Sequence, residues 1–78
     1  MPTVMRIAGY RFFFYSNEGS EPAHVHVQSG DGEAKFWLNP IELAWSQGFN
    51  ASETRKIERH IRDNIGYLLD IWNEFFGE

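Results

Sequence analysis

The chain contains no cysteine, so it can hold neither a disulfide framework nor a thiolate metal site. Basic residues are scarce: seven Lys and Arg stand against eleven Asp and Glu, a formal charge of −4. That balance excludes the bulk attraction on which sequence-independent nucleic-acid binders rely. No apolar run approaches the ~20 residues a transmembrane helix requires. Met1–Arg6 lacks the apolar core of a signal peptide. The expectation is a cytoplasmic protein with no membrane association. Repeats and low-complexity tracts are also missing, so one domain over residues 1–78 is expected.

What the chain does have is aromatic mass: seven Phe, three Tyr and three Trp in 78 residues. A domain this short buries only about 60–65% of its unfolded surface. Aromatic side chains, each burying roughly 150–250 Å², compensate for that shortage, and a homodimer would extend the same core across two copies. Charge is uneven. Residues 1–38 carry Arg6, Arg11 and Lys35 against Glu18, Glu21, Asp31 and Glu33, whereas most of the negative excess lies beyond residue 38.

The first 38 residues read as two β-hairpins. Val4–Ile7 and Tyr10–Tyr15 flank Ala8-Gly9, a two-residue loop with Gly where positive φ is needed. That register pairs Ile7 with Tyr10, Met5 with Phe12 and Thr3 with Phe14. Ser16–Pro22 is a polar loop rich in turn formers. His24–Gln28 and Glu33–Leu38 form the second hairpin around Ser29-Gly30-Asp31-Gly32, read as a four-residue loop. Gln28 then pairs with Glu33, His26 with Lys35 and His24 with Trp37. Strand side chains alternate faces, so Val25, Val27, Ala34, Phe36 and Leu38 share a core face. His24, His26, Gln28, Glu33, Lys35 and Trp37 share the other, which one helix would leave exposed unless the Glu18–Pro22 loop, the end of the chain or another protein covers it.

Residues 39–49 read as a connector, with Pro40–Trp45 either an extended edge or a short helical turn that places Pro at its first position, the turn being preferred. Residues 50–77 read as one long helix. Asn50 and Glu53 have the spacing of a capping box. Ile57, Ile61, Ile65, Leu68, Trp72, Phe75 and Phe76 recur at steps of three and four, as a single buried stripe does. Glu58 and Arg62 form an i,i+4 pair on the wet side. The fold class that follows is α+β: a small antiparallel sheet of about four strands with one long C-terminal helix packed on one face.

Several segments together resemble the small bacterial proteins of domain of unknown function family 4160. They are Glu21-Pro22-Ala23-His24-Val25-His26-Val27, Gly32-Glu33-Ala34-Lys35-Phe36-Trp37-Leu38, Pro40-Ile41-Glu42-Leu43-Ala44 and Trp72-Asn73-Glu74-Phe75-Phe76. Members of that family are typically encoded beside a second small protein, a pairing that has suggested a toxin–antitoxin-like module. The resemblance thus implies a cognate small-protein partner, with RNA in view as a target. It implies no catalytic residues.

Three chemistries compete for the histidine face. As a partner-binding surface it would use Phe13, Tyr15, Glu21, His24, His26, Lys35 and Trp37, because aromatics clustered on a free sheet face favour contact with another protein. As a metal-independent ribonuclease it would use His26 or His24 as base, Glu33 as acid and Lys35 as the cation for a phosphorane, with the aromatics stacking bases. As a metal site it is short of ligands, since a closed site needs three or four. Glu21, Glu33 and His60 are the further candidates, none with a spacing that brings it into reach, so no metal or cofactor is assigned. The interaction reading leads.

Overall fold

A computed structural model describes residues 3–77. Five strands, β1 (Thr3–Ile7), β2 (Tyr10–Phe13), β3 (His24–Ser29), β4 (Gly32–Leu38) and β5 (Ile41–Gln47), precede two helices, α1 (Ala51–Asp63) and α2 (Ile65–Phe76). The strands form one antiparallel meander in the order β1-β2-β3-β4-β5. The class is α+β. Three elements differ from the sequence expectation: the sheet has a fifth strand, β2 ends at Phe13 rather than Tyr15, and the helix is two helices.

Both predicted hairpins form. Ala8 and Gly9 take φ of 52° and 85°, the double left-handed geometry of a tight two-residue turn. Ile7 pairs with Tyr10 and Met5 with Phe12, but an irregularity around Val4 sets Thr3 opposite Phe13 rather than Phe14. In the second hairpin His24 pairs with Trp37, His26 with Lys35 and Gln28 with Glu33. The pairing extends to Ser29 and Gly32, so the loop is Gly30-Asp31 alone, with Gly30 at φ 57°.

The expected turn at Pro40–Trp45 is strand β5. Asn39–Pro40, a cis peptide, turns the chain, and Ile41, Leu43 and Trp45 recur at period two, which overrides the helix-start signal of Pro40. Leu43 lies opposite Phe36 and Trp45 opposite Lys35, with Ala44 the extra residue of a bulge. The bulge turns Trp45 onto the histidine face, where its ring centroid lies 6.2 Å from that of His26.

Helix α1 starts as expected: Asn50 accepts from the Glu53 amide at 2.8 Å, and Glu53 accepts from the Asn50 amide at 2.9 Å. It stops at Asn64, whose side-chain amide donates to the His60 carbonyl at 2.8 Å while its backbone amide donates to Ile61. A side chain that competes for helical carbonyls ends a helix, and the poor helix former Gly66 follows closely. The apolar stripe continues across the break, so Ile57, Ile61, Leu68 and Trp72 all pack on one core with Phe12, Phe14, Val25, Val27, Phe36 and Leu38. Each such fully buried aliphatic or aromatic side chain contributes about 1.5–3 kcal/mol. The stripe ends sooner than its spacing suggests: Phe75 is 44% exposed. No helix among the described residues is long and apolar enough to cross a membrane.

Candidate functional site

The histidine face is not open. His24 and His26 are 0% and 3% exposed, so the chain itself covers the face that a lone helix would leave open. The cover has two sources. The loop between β2 and β3 folds back over the face, and Trp72 of α2 comes within 5.0 Å of His24, centroid to centroid. Gly19 holds the loop against Phe76 so closely that a Cβ there would lie 2.6 Å from the ring.

Each imidazole is walled by aromatics. His24 packs against Trp37 at 5.6 Å as well as Trp72. His26 stacks on Phe13 at 5.5 Å and meets the edge of Tyr15 at 4.5 Å. Phe13 is 2% exposed and the Arg11 guanidinium covers it at 4.3 Å. Phe13, His24 and His26 are therefore enclosed by the chain itself.

The residue that organises the face is Glu18, which falls in the polar loop Ser16–Pro22. One carboxylate oxygen, Oε1, lies 2.8 Å from His24 Nε2 and 2.9 Å from His26 Nε2; Oε2 lies 3.2 Å from the latter. His24 Nδ1 is 2.8 Å from the Pro22 carbonyl. That carbonyl can only accept, so Nδ1 carries a proton. On His26 the other ring nitrogen, Nδ1, is buried without a hydrogen-bond partner among the described residues, with Glu33 Oε2 4.0 Å away. The donor atoms of Glu18, His24 and His26 all lie within 4.8 Å of one another.

The electrostatics follow. Burial works to raise the Glu18 carboxyl, but hydrogen bonds from His24 and His26 and their charge outweigh it and hold the group below the usual range. His26 is pushed below the ordinary imidazole value, chiefly by burial, which the Glu18 carboxylate opposes but does not cancel. Tyr15 donates to Glu33 at 3.2 Å; burial and the charge of Glu33 raise its phenol.

Lys35 and Glu21 occupy the rim and belong to each other. The ammonium donates to Glu21 Oε1 at 2.7 Å and sits 4.4 Å over the Trp37 ring. His60 stays apart on α1, beside Tyr10. Glu33, Lys35, His24 and His26 do gather on one face, but the lysine is spent on Glu21 and the histidines on Glu18. A surface depression lined by Arg55, Glu58, Arg59 and Arg62 lies on α1 and includes none of the residues of the histidine face.

No curated protein and no solved structure matches the chain. A family model does, over residues 9–73, which takes in the whole histidine face, β5, all of α1 and most of α2. The chain belongs to the family described as Domain of unknown function (DUF4160).

Proposed function

We propose that the protein is an interaction module that binds a cognate small protein through β5. One observation carries this reading. β5 is an edge strand in which six of seven residues are exposed, including Leu43 at 40% and Trp45 at 41%. Natural edge strands are commonly short, charged or covered, because their unpaired backbone groups recruit other strands. This one is seven residues long and its single charge is Glu42. A partner strand added to β5 would gain main-chain hydrogen bonds, with Leu43 and Trp45 on opposite faces as side-chain anchors. Trp37, half-buried beside the Lys35–Glu21 pair, continues the surface on the Trp45 side. Such a pairing fits the two-gene, toxin–antitoxin-like arrangement that the family resemblance suggests.

The ribonuclease alternative needs His26 and Lys35 to meet a phosphate. The burial of one and the ion pair of the other favour contact over catalysis. Co-expression with the neighbouring gene's product tests the proposal. The wild type should co-purify with that product, and Leu43→Lys with Trp45→Ala should release it while the monomer stays folded. Co-purification that survives both substitutions overturns the reading. So does a β5-dependent homodimer in light scattering with no partner retained.

A further inference from the structure

The contact between His24 and Glu18 poses a chemical problem. His24 Nδ1 commits a proton to the Pro22 carbonyl, so in the neutral ring Nε2 presents a bare lone pair. That lone pair points at a carboxylate oxygen 2.8 Å away. Two acceptors do not approach so closely unless a cation lies between them. The cation is a second proton or a metal ion.

The rest of the cluster favours the metal. A histidine that ligates through Nε2 typically donates its other N–H to a backbone carbonyl or a carboxylate, which sets its tautomer and orientation. His24 already does so through Pro22. His26 does not in its metal-free arrangement, because its Nε2 proton faces Glu18 and Nδ1 is left buried without a partner. Moving the ring proton to Nδ1 frees Nε2 to ligate and aims an N–H at Glu33 Oε2, now 4.0 Å distant. A metal ion among the three donor atoms answers both: it separates the facing lone pairs of His24 and Glu18, and the tautomer shift that accompanies it gives the orphaned nitrogen of His26 a partner.

Spacing and access agree. Adjacent ligands of a tetrahedral ion with bonds of about 2.0–2.1 Å lie roughly 3.3 Å apart. Glu18 Oε1 is 2.8 and 2.9 Å from the two nitrogens, about half an ångström inside that spacing, and all three donor atoms lie within 4.8 Å of one another. The aromatic walls fix the imidazoles, while the Glu18 side chain, on the loop, is 17% exposed. That side would give an ion, and the water needed to complete its coordination, a way in. Two imidazoles and one carboxylate without thiolate suit a borderline divalent ion rather than Mg²⁺ or Ca²⁺, which prefer all-oxygen sites.

We propose that Glu18, His24 and His26 form a binding site for a divalent transition-metal ion of the zinc class, with the Pro22 carbonyl and Glu33 orienting the two histidines. The proposal is independent of the β5 interface. It is tested on the full chain, tag removed and stripped with a chelator, titrated with Zn²⁺ by calorimetry and assayed for metal after gel filtration. One ion per chain is expected. Glu18→Gln should weaken binding by more than 100-fold, and Glu33→Gln by 10–100-fold as outer-shell losses usually do. His60→Ala should bind as the wild type does. In case a variant fails to fold, ¹⁵N spectra of the wild-type imidazoles read the site directly: Zn²⁺ should move Nε2 of His24 and His26 and leave His60 unmoved. Less than stoichiometric zinc, equal affinity in Glu18→Gln, or unshifted Nε2 resonances overturns the site.

Discussion

Glu18→Ala is the most informative perturbation of stability in this protein, and Glu21→Ala is its natural control. Both glutamates lie on the same loop and both carry an ion-pair contact, but their environments differ. Glu18 Oε1 lies 2.8 and 2.9 Å from Nε2 of two imidazoles that are 0% and 3% exposed. Hydrogen bonds to a charged group are worth about 1.5–3 kcal/mol each, which sets an upper sum near 3–6 kcal/mol. The carboxylate is 17% exposed, so water partly replaces it, and a loss of about 2–3 kcal/mol is expected. For a chain of 78 residues the total stability is on the order of 4–12 kcal/mol, and each kcal/mol moves Tm by about 4–8 °C. The variant should therefore melt about 10–20 °C lower. Glu21, with its side chain 42% exposed and paired to Lys35, should cost no more than about 1 kcal/mol. Tryptophan fluorescence during guanidinium unfolding, with a chelator present to exclude metal, measures both. Equal losses in the two variants would refute the view that Glu18 is the organising acceptor of a buried face.

Other substitutions probe the frame. Asn50→Ala removes one arm of the capping box and should lower stability by about 1 kcal/mol, read from the same unfolding curves. Gly66→Ala should raise it by about 0.5–1 kcal/mol, because an added Cβ meets nothing within 4 Å and a helix gains from the stiffer chain. Gly32→Ala should do the opposite, by roughly 1–3 kcal/mol, since its Cβ would enter the ring of Phe49; a paired Phe49→Leu change should recover part of the loss. Ile61→Ala, at a position with no exposure, should cost about 2–5 kcal/mol.

Local periodicity carried the sequence reading where it succeeded. The register of the β3–β4 hairpin, the cap at Asn50 and the stripe from Ile57 to Trp72 all rest on neighbours within a few residues, whose geometry the backbone period dictates. Period two also said correctly that His24, His26, Lys35 and Trp37 share a face. It could not say whether that face is covered, because cover depends on where a loop and a helix end come to rest. Pro40 gave conflicting local signals, a helix start against the alternation of Ile41, Leu43 and Trp45, and the strand pairing with β4 resolved them.

The site divides in the same way. The two histidines were visible as a pair from their spacing, and residues 9–73 carry the family pattern. Glu18 was not visible, since it lies six residues before His24 in a stretch without period. Folding of the β2–β3 loop puts its carboxylate between two Nε2 atoms, and the docking of Trp72 closes the remaining side. Secondary structure and pairing are short-range properties that residue order can specify through sterics and alternation. Burial, protonation and ligand geometry depend on groups distant along the chain, and they exist only once those groups are packed together.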